Sequence, residues 1–225
     1  MLRAIVFDFD GVIANSEPLH YQAFHDVLAG SGVSFARKEY YDRYLGYDDA
    51  GVFKAVSADR GLSWSGDRIS ALVKSKAEAI AQLEQNASIL FPGAAAAIRR
   101  AAALMPLAIA SGALGAEIRR VLDREGLTSY FKAIVAAEDT PLSKPAADPY
   151  RRAIDLLSAA GAGPFQPAEC VAIEDSPWGL QSAREAGLRT VGVAQTYAAA
   201  ALDADLVISS VGDLDLDGLA RLCAV

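Results

Sequence analysis

The sequence predicts an α/β protein: a doubly wound, Rossmann-like parallel-sheet core with a small α-helical cap domain inserted after the first strand. Three observations carry this. From residue 92 onward, short apolar runs alternate with stretches of helical period, as in a parallel sheet covered by helices on both faces. Ahead of them, one apolar run from Arg3 to Phe7 stops at a charge, Asp8. Between residues 16 and 86 every periodic stretch is helical and no strand pattern occurs. The chain is long enough for this plan. Its 225 residues, 52% of them apolar, suffice for one full core plus a satellite, because chains of this size bury roughly 70–75% of their unfolded surface. Alanine accounts for 45 residues and adds helix propensity more than hydrophobic drive.

Arg3 to Phe7 is too short for a helix and ends before Gly11, so it reads as a buried strand. Ser16, Glu17 and Pro18 open a helix with a hydroxyl, an acid and an early proline, and Gly30 with Gly32 closes it. Asp48 starts a second helical stretch through Val52, Phe53 and Val56 to Gly61. Asp67 starts a longer one through Ile69, Leu72, Val73, Ile80 and Leu83. After the turn at Pro92-Gly93 the alternation begins: helix 94–104, strand 107–110, helix 114–125 stopped by Gly126, strand 133–136. It continues with helix 148–160, strand 170–173, helix 177–186 stopped by Gly187, strands 190–193 and 206–208, and helix 214–222. The domains follow: a catalytic core of residues 1–15 and 87–225 and a helical cap of residues 16–86. The crossings fall near Ala14-Asn15-Ser16 and Gln85-Asn86-Ala87.

The formal charge of −7, from 21 Lys+Arg and 28 Asp+Glu, argues against nucleic acid or an anionic membrane as partner. It leaves room for a small anionic substrate held by a metal or by local lysines. Cys170 and Cys223 do not make a disulfide framework, so a reducing, cytoplasmic setting is expected. Asp8 comes too soon for a secretory apolar segment, and Arg99 and Arg100 interrupt the most apolar long stretch. Oligomeric state stays open between monomer and dimer.

The carboxyl ends of parallel strands share one edge of a sheet, and ligands bind in the crevice outside it. The loops expected there are Asp8-Phe9-Asp10-Gly11, Ser111-Gly112, Ser143-Lys144-Pro145 and Glu174-Asp175-Ser176. They bring four acids, a hydroxyl and a lysine to one place. So many carboxylates call for a cation, and oxygen ligands favour a hard ion such as Mg²⁺, the usual companion of phosphate. With that ion, Lys144 and local amides offsetting the like-charge repulsion, Asp8 can attack phosphorus and form an aspartyl-phosphate. Asp10, two residues on along an extended chain, can protonate the leaving oxygen and later deprotonate water. Each feature also has a plainer reading: an Asp-Gly turn, a helix N-cap at Ser111, a loop lysine, a cap at Glu174 or Asp175. The four together outweigh these, while Cys170 reads as a strand core residue and Trp178 as packing or loop cover.

In order and spacing these four segments closely resemble the motifs of the haloacid dehalogenase-like hydrolase superfamily. The match is best to the branch with a helical cap after the first motif, which includes phosphoglycolate phosphatase and beta-phosphoglucomutase. The resemblance implies Asp8 as nucleophile and Asp10 as acid and base. It implies Ser111, Gly112 and Lys144 at the phosphate, and Mg²⁺ held by Asp8, the Asp10 carbonyl, Asp175 and Glu174. The expected activity is Mg²⁺-dependent hydrolysis of a small phosphomonoester, a sugar phosphate or a phosphoglycolate-like compound. Mutase relatives carry a cap histidine near substrate at a position resembling His20, and a substrate-touching lysine on a cap helix resembling the one that bears Lys74 and Lys76, of which Lys76 is taken as the substrate-facing candidate. A phosphosugar mutase is the alternative, disfavoured by Asp48-Asp49 where mutases resembling this stretch place an arginine. Dehalogenase relatives lack the counterpart of Asp10.

Overall fold

The computed structural model describes residues 1–45, 47–83 and 88–224. The chain divides into two compact units, Ser16–Ser88 and Met1–Asn15 with Ile89–Val225. The expected second crossing, Gln85-Asn86-Ala87, lies outside the described residues, as does Gly46. At the first crossing the backbone is pinned, the Asn15 N–H donating to the Ile89 carbonyl at 2.7 Å.

The smaller unit consists, among the described residues, of α1 (Glu17–Ala29), α2 (Arg37–Arg43), α3 (Asp49–Asp59) and α4 (Gly66–Leu83). Asp48 caps α3, its carboxylate accepting the Gly51 N–H at 2.6 Å. Helix α2, for which the sequence shows no distinct start signal, is held by an aromatic cluster. Tyr40 from α2 and Phe53 from α3 both pack on Phe24 of α1, with ring centroids 5.7 and 5.2 Å away.

The larger unit is a parallel sheet of β1 (Ala4–Phe7), β2 (Leu107–Ala110), β3 (Phe131–Val135), β4 (Cys170–Glu174), β5 (Arg189–Val193) and β6 (Leu206–Ile208). Their spatial order is β3-β2-β1-β4-β5-β6. Every residue of β1, β2 and β4 is buried, which is why these strands read as unbroken apolar runs rather than alternating ones. Helices α5 (Ala94–Ala102), α6 (Gly115–Arg124), α7 (Asp148–Leu157), α8 (Pro177–Glu185) and α9 (Leu216–Leu222) follow or link them. Strand alanines at 4, 108, 110, 133 and 172 form one core cluster with Tyr150 and Leu157 of α7 and Ala183 of α8. Their small side chains leave room for the larger groups to interdigitate.

Several boundaries differ from the expectation, and three of them are instructive. β3 begins at Phe131 rather than Ala133, because Phe131 packs edge-on against Phe7 at 6.3 Å. α7 stops at Leu157, three residues early, and a π turn over Ser158–Ala162 replaces its end. α9 starts at Leu216 because the Asp215 carboxylate accepts the Asp217 and Gly218 N–H groups, each at 3.1 Å. Among the described residues no helix is long and apolar enough to cross a membrane.

The strand order creates the site. β1 lies between β2 and β4, with Phe7 in register with Ile109 on one side and Ile173 on the other. From β1 the chain builds outward through β2 to β3, then crosses from β3 to the other side of β1 and builds outward through β4 to β6; the switch point between β1 and β4 is where such sheets open a crevice at their carboxyl ends.

Candidate active site

Asp8 follows β1 directly, and its N–H donates to the Ile173 carbonyl at 2.9 Å. This extends the ladder one step and sets Asp8 beside the end of β4, where Glu174 stands. Lys144 arrives from the loop after β3. Its Nζ donates to Asp8 Oδ1 at 2.7 Å and to Glu174 Oε1, and lies 5.1 Å from the Tyr150 ring centroid. Asp175 completes the group: oxygens of Asp8, Glu174 and Asp175 lie within 4.8 Å of one another, and all three residues are buried.

Glu174 is the most enclosed of these acids, with no exposed surface. Its Oε1 accepts from Lys144 and from the Tyr150 hydroxyl at 2.9 Å. Its Oε2 accepts the Asp175 and Ser176 N–H groups at 3.2 and 3.3 Å and the Ser176 hydroxyl at 3.2 Å. Such saturation lets a charged group persist in the interior. A side chain on Gly179 would come within 2.1 Å of this carboxylate, so the first turn of α8 needs a glycine there. Neither Glu174 nor Asp175 caps α8; Ser176 does, its Oγ accepting the Gly179 N–H at 3.1 Å.

The turn after Asp8 is equally constrained. Gly11 has φ +80°, and a Cβ there would fall 1.9 Å from Asp175 Oδ2. Gln195 clamps the same turn, donating from Nε2 to the Gly11 carbonyl at 2.8 Å while its Oε1 accepts the Val211 N–H at 2.9 Å.

Crowding shows in the electrostatics. Burial raises the Asp8 carboxyl well above its usual value; the Lys144 charge opposes this, and Glu174 and Asp175 add to it. Burial, then the Glu174 charge, push Asp175 up to about 7, against a hydrogen bond from Thr196. Burial by itself would depress the Lys144 ammonium, but Asp8 and Glu174 outweigh it and hold the ammonium above its usual value. Three carboxylates and one ammonium leave two negative charges when all are ionised. That surplus, on oxygen donors already gathered, fits a hard divalent cation such as Mg²⁺.

The remaining predicted residues are placed as follows. Asp10 is half-buried in the turn after β1, bridged by its backbone to Ala14. Ser111 is buried at the end of β2, two residues beyond the partner of Phe7, and Gly112 after it is exposed. Ser111 does not cap α6: its Oγ accepts the Ala113 N–H at 3.0 Å, while the Gly115 N–H meets the Glu138 carboxylate at 3.1 and 3.3 Å. His20 and Lys76 belong to the smaller unit, where Lys76 Nζ lies 2.8 Å from His20 Nδ1 and 2.6 Å from Asp49 Oδ1. Burial and the Lys76 charge lower His20 to about 3. The sequence reading missed Tyr150, Thr196, Gln195 and Gly179. Only Gly179 carries a local signal, a glycine in the first turn of a helix.

A sheet switch point, an acid at the end of the first strand and a lysine bridging it to a buried acidic pair make one acid-rich site at the carboxyl edge of the sheet. A model of the haloacid dehalogenase-like hydrolases matches residues 2–187. The chain is 34% identical over 203 residues to Protein CbbY of Rhodobacter capsulatus, covering 87% of each. It is 29% identical over 189 residues to fructose-1-phosphate phosphatase YqaB of Escherichia coli, covering 84% of this chain and 95% of that one. The crystal structure of CbbY from Rhodobacter sphaeroides in complex with phosphate superposes with a TM-score of 0.79 at 29% identity, over 97% of this chain and 99% of that one. This chain belongs to the haloacid dehalogenase-like hydrolase family.

Proposed function

We propose that this protein is a Mg²⁺-dependent phosphatase that hydrolyses a small sugar-phosphate monoester through a phosphorylated Asp8. The chain is a phosphoric monoester hydrolase: its family is one of hydrolases, and its named relatives include a fructose-1-phosphate phosphatase and a hexitol phosphatase. The observation that carries the mechanism is the Asp8–Lys144–Glu174 bridge beside Asp175, a nucleophile held next to a cation inside a surplus of negative charge.

An Asp8 oxygen attacks phosphorus in line with the leaving oxygen, and the P–O bond to the sugar breaks as the Asp8–phosphorus ester forms. Asp10 gives its proton to the departing alkoxide. It then takes a proton from water, which attacks the phospho-Asp8 and releases inorganic phosphate. Lys144, the Ser111 hydroxyl and the amides from Gly112 onward hold the phosphoryl oxygens. Asp8, Asp175 and the Asp10 carbonyl would hold a divalent cation, which would supply the charge that lets two anions meet. Glu174 has its oxygens committed to five donors, so we assign it to positioning Lys144 rather than to binding the ion directly. For the helical unit, inserted in the chain directly behind the nucleophile, we propose that His20 and Lys76 contribute to substrate choice.

The test is phosphate release from hexose and pentose phosphates and phosphoglycolate, with and without Mg²⁺. Asp8→Asn is expected to lower turnover by about 10⁴-fold or more with unchanged circular dichroism. Retained turnover in that variant, or full wild-type activity in excess chelator, overturns this mechanism.

A further inference from the structure

We propose that Trp178, braced by Tyr197, is the wall against which the carbon skeleton of the phosphomonoester lies, making it a specificity-determining residue. This rests on the phosphatase reading above. The groups gathered around Asp8 are polar and serve the phosphoryl half of a substrate, whereas a sugar phosphate has a second half edged with C–H groups. Among the described residues three large apolar side chains stand exposed on the site loops: Leu114 at 53%, Leu142 at 58% and Trp178 at 43%. Leu114 comes three residues after Ser111, Leu142 two before Lys144, and Trp178 three after Asp175.

Trp178 is held from two directions. From its own loop it sits in the first turn of α8, between the cap Ser176 and Gly179, which abuts the Glu174 carboxylate. From the loop after β5, the Tyr197 ring meets it edge-on at 5.5 Å and 82°. Tyr197 follows Thr196, which hydrogen-bonds Asp175. The indole is therefore tied on both sides to the loops that place Asp175, yet it leaves over two-fifths of its surface open. A rigid aromatic face with few rotatable bonds takes an apolar ligand surface at low entropic cost. Leu114 and Leu142 offer no flat ring and turn about more side-chain bonds relative to their area.

The experiment compares Trp178→Ala and Trp178→Phe with wild type on a hexose monophosphate and on acetyl phosphate, which has no sugar skeleton. In Trp178→Ala the ratio of kcat/KM for the hexose phosphate over acetyl phosphate is expected to fall about 5- to 10-fold. The loss should fall on KM rather than kcat, and Trp178→Phe should recover part of it. Trp64→Phe leaves Trp178 as the sole tryptophan, since the chain has two. In Trp64→Phe combined with Asp8→Asn, hexose phosphate is expected to change the emission more than inorganic phosphate does. This second readout holds even if Trp178→Ala does not fold. An unchanged ratio in a folded Trp178→Ala, or equal emission changes with both probes, overturns the assignment of the wall alone. Failure of the wild type to release phosphate from either compound would instead overturn the phosphatase reading.

Discussion

Two lysines of this chain lie over aromatic rings and are bonded to acids, yet the charge around them differs. Lys144 leaves 10% of its side chain exposed and Lys76 1%. One stands 5.1 Å from the Tyr150 ring, the other 4.9 Å from Phe24. Lys76 has one carboxylate partner, Asp49, and its second neighbour is His20. An ammonium only donates, so His20 accepts through Nδ1 and stays neutral. The charges balance. Lys144 bonds two carboxylates and has a third, Asp175, beside them, so its cluster is short of positive charge. The same residue type is thus charge-balanced in one unit and outnumbered by acids in the other. The count of acids around the lysine, more than its depth, decides whether the cluster carries surplus negative charge.

Removing each lysine in turn tests that difference most strongly. Lys144→Met is expected to lower kcat/KM by about 10³-fold on every phosphate ester, because one preorganised cation at the phosphoryl group is lost. Lys76→Met should instead shift the ratio between sugar phosphates and acetyl phosphate, and lower thermal stability. Equal losses on all esters in both variants would erase the distinction.

The acid-rich cluster should also gain stability from its ion, and the charge-balanced one should not. At about 100 times its Kd, Mg²⁺ is expected to stabilise the protein by about 2.7 kcal/mol. That corresponds to a rise of roughly 5–10 °C in Tm for a chain of this size. Asp175→Asn should abolish most of this rise, whereas Glu174→Gln should keep a measurable part, since Glu174 acts through Lys144. A rise that survives in Asp175→Asn and vanishes in Glu174→Gln would reverse the two roles.

The smallest effect belongs to His20. Its native value of about 3 lies below the ordinary 6.5, so in acid the unfolded chain takes up a proton that the native chain refuses. The stability this residue confers is present above 6.5 and is lost as the pH falls from there toward 3. The Tm of wild type relative to His20→Gln should therefore drop by a few degrees between pH 7 and pH 5. Parallel Tm curves for the two proteins would mean that His20 is protonated in the folded state.

Much of the fold was legible because it is written locally. Buried parallel strands must be continuous apolar runs, and Ala4–Phe7, Leu107–Ala110 and Cys170–Glu174 are such runs. Helix ends such as that of α3 carry their own capping residue, Asp48. Where a boundary depends on a remote partner the sequence misled: Phe131 joins β3 because of Phe7.

The chemistry of the site divides in the same way. From the sequence alone came the residue types that gather at one sheet edge, the family resemblance that the family model and relatives bear out, and the expectation of a hard cation. Only the tertiary structure decided which groups touch. Asp8 and Lys144 are 136 residues apart and Glu174 a further 30 from Lys144, yet one ammonium bridges both acids. Tyr150 on the inner face of α7, Thr196 beyond β5 and the pairing of Lys76 with Asp49 carry no signal along the chain. Periodicity and turn chemistry act between neighbours in sequence. Charge balance and hydrogen-bond saturation act over a few ångströms of space, and the order of strands in the sheet decides which distant residues come that close.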